Sequence, residues 1–260
     1  MSVLKLIVVF MALGALAESQ DLKIAAASDL TQVMQKLAPA FEKQSGVHVT
    51  ASLGSSGNFF AQIQNGAPFD IFLSADKSYP ERLEQAGQAE PGSLTHYARG
   101  RLVIWTSNSS SIGLRFNDNK VLSDDLQVLT SSQVRKIAIA NPEHAPYGRA
   151  AVAALRHYGI YDQVKDKLVL GENISQTSQF AQSGNADVAF IALSVAMSAP
   201  MENSGRWLLV PPESCPPIEQ TAVIIRSSKN RQQAQRFLDF LTSVEGQTIL
   251  RAAGFEAPQK

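Results

Sequence analysis

The sequence predicts an α/β protein, and three observations lead to that fold class. First, the 260 residues are 45% hydrophobic, which is enough to bury a sizeable core in one large domain or two smaller ones. Second, short apolar runs such as residues 22–26 alternate along the chain with segments of helical periodicity. Third, glycines such as Gly46 and Gly66 follow the helical segments, where helices commonly end.

The predicted elements follow one another in a regular order. A strand at residues 22–26 precedes a helix in which Val33, Leu37 and Phe41 recur every four residues on one face. Further strands are predicted at residues 47–53, 69–75, 101–107, 136–141, 167–173, 187–194, 206–212 and 221–227. Further helices are predicted around residues 59–63, 80–87, 149–159, 175–184, 234–241 and 249–250.

The first residues are typical of an export signal. Lys5 precedes an apolar run at residues 6–16, and Ala15 and Ala17 provide the small residues of a cleavage site. The run is shorter than the about 20 apolar residues that a membrane-spanning helix needs. We therefore expect residues 1–17 to be removed as a signal peptide and the mature protein to be soluble in the periplasm.

Charge and cysteine content exclude several classes of function. Lys plus Arg balance Asp plus Glu at 23 each, and no basic run is present, so neither nucleic acid nor an anionic membrane is an expected partner. Cys215 is the only cysteine, so no internal disulfide can form. No zinc spacing, calcium loop, Walker loop or dinucleotide glycine pattern occurs, so we expect neither a metal cofactor nor a nucleotide.

Four predicted strand-to-helix corners carry small or hydrogen-bonding residues: AAASDL (25–30), LGSSGNF (53–59), NPEHAPYGRA (141–150) and GENISQTS (171–178). Ligands of open α/β sheets bind outside the carboxyl ends of the strands. Helix N-termini there present free N–H groups and a partial positive charge. Two corners lie in each half of the chain, so a cleft between two lobes would bring all four together as an anion site.

Each corner also has a purely structural interpretation. Ser28 could cap a helix with Asp29 in its first turn, Pro146 could simply begin a helix, and Asn173 could be another cap. The pair Ser55 and Ser56 is framed too closely by strand and helix for a linker, and it does not match the G-x-S-x-G turn of hydrolases.

An anion cradle explains the serine pair better. Gly54 and Gly57 would let a ligand approach the backbone, and Ser55 and Ser56 would donate hydroxyls where the helix begins.

These corners, with the stretches IQNGAPFDIFLSAD and ADVAFIALS, resemble the molybdate-binding periplasmic proteins of ABC importers, the ModA family. The resemblance covers nearly the whole mature chain. It implies a two-lobed periplasmic binding protein fold of type II, each lobe a mixed sheet flanked by helices, with the ligand cleft between the lobes. Lobe I would comprise residues 22–99 and 217–260, lobe II residues 100–216, and the crossings would fall near residues 98–102 and 211–220.

The resemblance also implies a function and a site. The chain would bind molybdate or tungstate, deliver it to the membrane permease of an ABC transporter, act as a monomer and catalyse no reaction. Some family members have a tyrosine where this chain has Ala192, and the Tyr147 hydroxyl could replace that contact. The implied ligand-binding residues are Ser28, Asp29, Ser55, Ser56, Tyr147, Ile174 and Ala192, with main-chain donors at Asp29, Tyr147 and Ile174.

The donors in this set leave other ligands open. A shell of neutral donors favours a fully deprotonated tetrahedral anion, so sulfate also fits. Hydrogen phosphate needs an acceptor, which Asp29 alone could provide, and we expect the Asp29 carboxylate to face solvent. A hydrolase using Ser56 or Cys215 is the alternative from another class. It would need a basic side chain in the cleft, and only His144 lies near a corner.

Overall fold

The computed structural model describes residues 21–117, 119–122 and 126–258. Its strands are β1 (Leu22–Ala27), β2 (Val49–Gly54), β3 (Ile71–Ser74), β4 (Thr95–Gly100), β5 (Leu102–Ser107), β6 (Ile137–Ala140), β7 (Leu168–Gly171), β8 (Val188–Ala192), β9 (Gly205–Leu209) and β10 (Ile218–Ile224). Its helices are α1 (Thr31–Ser45), α2 (Ser56–Gln64), α3 (Ser78–Gln85), α4 (Pro146–His157), α5 (Tyr161–Val164), α6 (Ile174–Gln182), α7 (Leu193–Ala196), α8 (Ala199–Ser204), α9 (Arg231–Thr242) and α10 (Val244–Ala252). The predicted signal peptide at residues 1–17 lies outside the described residues.

The strands form two five-stranded mixed sheets, which confirms the predicted two-lobed α/β class. The first sheet has the order β2-β1-β3-β10-β4, and the second has the order β7-β6-β8-β5-β9. We call the first sheet with its helices lobe I and the second sheet with its helices lobe II. None of the helices within the described residues is long and apolar enough to span a membrane.

The two sheets share one arrangement. In each, the second strand of the order pairs in parallel with its two neighbours: β1 with β2 and β3, and β6 with β7 and β8. The next strand arrives from the other lobe and runs antiparallel to its neighbours: β10 in lobe I and β5 in lobe II. The edge strand then leaves for the other lobe: β4 in lobe I and β9 in lobe II.

The chain passes between the sheets at two places in the described residues. It leaves β4 at Gly100 and enters β5 at Leu102, and it passes from β9 to β10 through residues 210–217. The first passage falls within residues 98–102, and the second overlaps residues 211–220, the segments near which crossings are expected. The residue limits of the lobes, 22–99 with 217–260 and 100–216, remain our proposal.

Burial on both faces explains why inner strands such as β1 read as continuous apolar runs. In β1, Ile24 and Ala26 pack in one core beside α1, α9 and α10, whereas Ala25 faces a second core beside α2 and α3. Strands covered by helices on both faces need no polar alternation. Parallel pairing places the carboxyl ends of β1 and β2, and of β6 and β7, at one edge of each sheet, where the four corners lie.

Several elements differ from the predicted ones: the short helices α5 and α8 were not predicted, and β9 and β10 begin and end earlier than predicted. β4 was not predicted, because Thr-His-Tyr-Ala-Arg-Gly has no apolar run, and as an edge strand it needs none. The strand predicted at residues 187–194 ends at Ala192, and the short helix α7 begins at Leu193.

Candidate functional site

The four corners meet at a small cavity between the lobes. Its volume is about 10 Å³, far below the about 300–1,000 Å³ of typical pockets for organic ligands. None of the described residues that line it is a lysine or arginine. The lining residues are Ala27, Ser28, Asp29, Gly54, Ser55, Ser56, Ala75, Ala145, Pro146, Tyr147, Asn173 and Ile174. The space between the corners is therefore small, and the described residues that line it offer hydroxyl and main-chain donors without a cationic side chain.

The first corner of lobe I presents the hydroxyl of Ser28. This buried residue begins a short 3-10 helix after β1, and its Oγ accepts a hydrogen bond from the main-chain N–H of Ile174 at 3.1 Å. The bond joins the lobes across the cavity. Because the Ser28 oxygen acts as acceptor there, its own O–H remains able to donate.

The two serines of the second corner, Ser55 and Ser56, have different hydrogen-bond partners. Ser55 caps α2, accepting from the N–H of Asn58 at 3.3 Å, and its Oγ also lies 3.0 Å from Nδ1 of His144 in lobe II. Ser56 is fully buried, and its Oγ accepts from the N–H of Ala75 at 3.0 Å. The Ser56 O–H is thus free for a ligand, whereas the Ser55 hydroxyl is engaged by its own helix and by the other lobe.

Lobe II contributes helix N-termini. Helix α4 begins with Pro146 and has no side-chain cap, and Tyr147 is its second residue. Helix α6 begins at Ile174, after Asn173 has capped it by accepting from the N–H of Gln176. N–H groups in the first turn have no acceptor within their own helix, so those of Tyr147 and Ile174 are main-chain donors at the cavity.

The Asp29 carboxylate does not face solvent, so that expectation was wrong. It is only 1% exposed, because β10 of its own lobe and α4 of lobe II cover it. Its Oδ2 accepts from the Tyr147 hydroxyl at 3.0 Å and from Nε2 of Gln220 at 2.6 Å. Tyr97 in turn donates to Oε1 of Gln220 at 3.0 Å.

Burial governs the electrostatics of this network. Desolvation raises the pKa of Asp29 from 3.8 to about 6, although the hydrogen bonds from Tyr147 and Gln220 lower it. Within the part of the chain that the structure describes, the Oδ1 atom of Asp29 is buried without a hydrogen-bond partner. The Tyr147 hydroxyl is committed to the carboxylate, and burial beside that charge raises its own pKa well above the usual range.

Ala192 is not brought to the cavity. It ends β8, is fully buried and pairs with Leu102. The nearby Ser194, in α7, donates instead to the main-chain oxygen of Asp29 at 2.7 Å. The contact that a family tyrosine would provide therefore has no counterpart at Ala192.

The glycines of the second corner leave room for protein atoms. Gly57 donates its N–H to the main-chain oxygen of His144 at 2.9 Å, and a Cβ there would lie 2.7 Å from that oxygen. Gly54 faces the Phe59 ring, 3.0 Å from such a Cβ. The absence of a side chain at Gly57 thus lets the main chain of lobe II come close, whereas the sequence predicted that it would let a ligand come close.

Sequence reasoning missed the residues that connect the corners. Tyr97 and Gln220 belong to elements without a recognisable motif; Gln220 reaches Asp29 only through the fold, and Tyr97 bonds Gln220. Ser194 ends the stretch ADVAFIALS, but its bond to the main-chain oxygen of Asp29 has no local signal. The contact between Asn58 and Glu172, which spans the lobes, likewise has no local signal. Among the described residues, no cluster of three or more His, Cys, Asp or Glu side chains could hold a metal ion.

The sequence and the fold both match known proteins. The family model for bacterial extracellular solute-binding proteins matches residues 22–256. The molybdate-binding protein ModA of Azotobacter vinelandii is 37% identical over 243 residues, covering 94% of this chain and 92% of that protein. ModA of Rhodobacter capsulatus is 35% identical over 245 residues, covering 94% and 92%. The solved A. vinelandii periplasmic molybdate-binding protein matches with a TM-score of 0.82 at 36% identity, covering 92% of this chain and 100% of that one.

Proposed function

This chain belongs to the bacterial extracellular solute-binding proteins and, among them, to the ModA family, and on that premise we propose that it captures molybdate or tungstate for an ABC importer. The mature protein acts in the periplasm as a monomer, after removal of residues 1–17. It closes its lobes on the anion and presents the closed form to the membrane permease. Neither a cofactor nor a catalytic residue takes part.

One observation carries the proposal: four corners, two from each lobe, line one small cavity whose described lining residues include no lysine or arginine. Hydrogen bonds to a charged group contribute roughly 1.5–3 kcal/mol each. Several such donors can hold a dianion without a lysine or arginine. The proposed donors are the hydroxyls of Ser28 and Ser56 and the main-chain N–H groups of Asp29, Tyr147 and Ile174.

The hydrogen bonds around the cavity indicate which hydroxyls can still donate to an anion. Ser28 and Ser56 each have an O–H to offer, because their oxygens are occupied as acceptors. An anion would draw the Ile174 N–H away from the Ser28 oxygen while Ser28 donates to the same anion. Ser55 is a neighbour whose hydroxyl is engaged elsewhere.

Sulfate and phosphate are the alternative ligands within the same chemistry. Hydrogen phosphate requires an acceptor for its proton, and the unpartnered Oδ1 of Asp29 is the one carboxylate oxygen among the residues that line the cavity able to serve. Sulfate is a dianion like molybdate but smaller. The proposal therefore predicts weaker binding of sulfate, and it predicts binding of hydrogen phosphate only where Asp29 Oδ1 accepts the proton of that anion.

Isothermal titration of the mature chain tests the function. Molybdate and tungstate should each bind with one saturable site, and Ser56→Ala should weaken both. No heat with molybdate, together with clear binding of phosphate or an organic anion, would overturn the proposal.

A hydrolase has one observation in its favour, the contact of Ser55 with His144. The His144 Nε2 lies 4.0 Å from Glu172, too far for the hydrogen bond that orients a catalytic base. Burial raises the pKa of the Cys215 thiol, which opposes its use as a nucleophile. We therefore propose a binding protein. Turnover of a panel of small esters that Ser55→Ala abolishes would contradict this.

A further inference from the structure

We propose that Arg149 is a positioning residue that latches lobe II onto lobe I and thereby sets the affinity of the cleft for its anion. The inference rests on the proposed function. Arg149 lies in the first turn of α4, and its Nη2 donates to Oδ2 of Asp76 in lobe I at 2.5 Å. Its Nη1 donates to the hydroxyl of Tyr79, also in lobe I, at 3.2 Å.

Hydrogen bonds and packing within lobe I hold Asp76 and Tyr79, the partners of Arg149, in position. Oδ1 of Asp76 accepts from the N–H of Ser78, at the start of α3, at 2.8 Å. The main chain of Asp76 exchanges two further hydrogen bonds with the Ser74 hydroxyl. Tyr79 is buried against Phe60. Because these bonds lie within lobe I, the carboxylate is held in place before lobe II arrives, and closure costs little ordering there.

The latch connects two walls of the anion cavity. Asp76 directly follows Ala75, whose N–H binds the Ser56 hydroxyl. Arg149 is two residues beyond Tyr147, which supplies a main-chain donor from the opposite wall. The ion pair therefore fixes the separation between the Ser56 donor and the Tyr147 donor, although Arg149 is not among the residues that line the cavity.

The ion pair contributes only when the lobes are together. The side chains are 35% exposed at Arg149 and 25% exposed at Asp76, so closure removes part of the solvent from both. With the lobes apart, each charge would be hydrated separately. An interaction present in one conformation alone shifts the equilibrium towards that conformation, and apparent affinity rises with the closed fraction.

The chain offers a matched control beside the latch. Lys77 lies 2.9 Å from Glu219, and both residues belong to lobe I. Lobe closure neither makes nor breaks this pair. Its lysine is adjacent in sequence to Asp76, so Lys77→Met tests the loss of a nearby cation without loss of the latch.

The first measurement is molybdate affinity by isothermal titration. Arg149→Met keeps most of the aliphatic stem and removes the guanidinium, and we expect affinity to fall on the order of tenfold. Arg149→Lys should recover part of the loss, and Lys77→Met should bind like the parent protein. Equal losses in Arg149→Met and Lys77→Met, or no loss in Arg149→Met, would overturn the latch.

The second measurement reports closure without any anion. In a Cys215→Ser background, Asn58→Cys and Glu172→Cys place thiols where two side chains meet across the lobes. The rate of cross-linking by a short bifunctional thiol reagent should fall in Arg149→Met by the same factor as the affinity, and it should not change in Lys77→Met. An affinity loss with an unchanged cross-linking rate would overturn the proposal. If the parent chain binds no molybdate, the cross-linking rates alone decide the latch, separately from the proposed function.

Discussion

The two lobes have the same strand arrangement but offer different chemistry to the cavity. In the proposed site, lobe I presents two hydroxyls, from Ser28 and Ser56, and one main-chain N–H, whereas the donors of lobe II are all main-chain N–H groups, from Tyr147 and Ile174. Lobe I also places a buried carboxylate, Asp29, behind its donors, and lobe II supplies the Tyr147 hydroxyl that bonds it. Side-chain donors and main-chain donors respond to different substitutions, so the contributions of the lobes can be separated.

The largest expected effect comes from keeping the lobes apart. A Cβ at Gly57 would lie 2.7 Å from the main-chain oxygen of His144, so Gly57→Ala should lower molybdate affinity by about a hundredfold. The thermal stability of the ligand-free chain should be preserved, because alanine favours the helix that Gly57 belongs to. Gly113→Ala is the control. Its new Cβ would lie 3.7 Å from Val128, an ordinary contact, and this variant should bind molybdate like the parent protein. Parent-like affinity in Gly57→Ala would mean that the lobes need not meet there.

The buried carboxyl group of Asp29 in lobe I should make the free energy of unfolding depend on pH. The folded-state pKa of Asp29, about 6, exceeds the ordinary 3.8, so its contribution to stability is complete below pH 3.8 and is lost as pH rises through about 6. At pH about 7, Asp29→Asn should raise the free energy of unfolding by up to about 3 kcal/mol.

Urea unfolding at several pH values measures this effect. The gain in Asp29→Asn should disappear at low pH, where the parent carboxyl is protonated in both states. Asp162→Asn is the control, since the Asp162 side chain is 88% exposed and should show no such pattern. A gain in Asp29→Asn that is the same at every pH would contradict a titration origin.

The lobe II donors can be tested with proline. Ile174 is the first residue of α6, where proline fits, and Asn173 has φ −156° and ψ 179°, an extended conformation that a following proline accepts. Ile174→Pro removes the N–H and should weaken molybdate binding about tenfold to a hundredfold. Ile174→Ala shortens the side chain but keeps the N–H, and it should bind much more tightly than the proline variant. Equal titration curves for the two variants would exclude this N–H as a donor.

The smallest difference separates the two serines of lobe I. Ser56→Ala should lower affinity about tenfold, because it removes a hydroxyl available to the anion. Ser55→Ala should change affinity only a few-fold, but it should cost about 1 kcal/mol of stability through the lost helix cap. Titration and thermal unfolding of both variants check this. An equal loss of affinity in the two would show that both hydroxyls touch the ligand.

Local patterns predicted most of the architecture. The strand at β1 and the helix bearing Val33, Leu37 and Phe41 were predicted from periodicity, because burial imposes a repeat on neighbouring residues. β4 was missed, since an edge strand is only partly buried and carries a weaker pattern. The four corners were predicted as a group, because serine, proline and asparagine favour helix starts for reasons that act within a few residues.

The sequence by itself determined the fold class, the four corners and the hydroxyls of lobe I, because these depend on short-range periodicity and on residue type. The tertiary structure alone decided that Asp29 is buried, that Tyr147 and Gln220 bond it, and that Gly57 makes room for lobe II. These contacts join residues more than 80 positions apart. Such contacts depend on how two separate sheets meet, and no local pattern in the chain encodes that meeting.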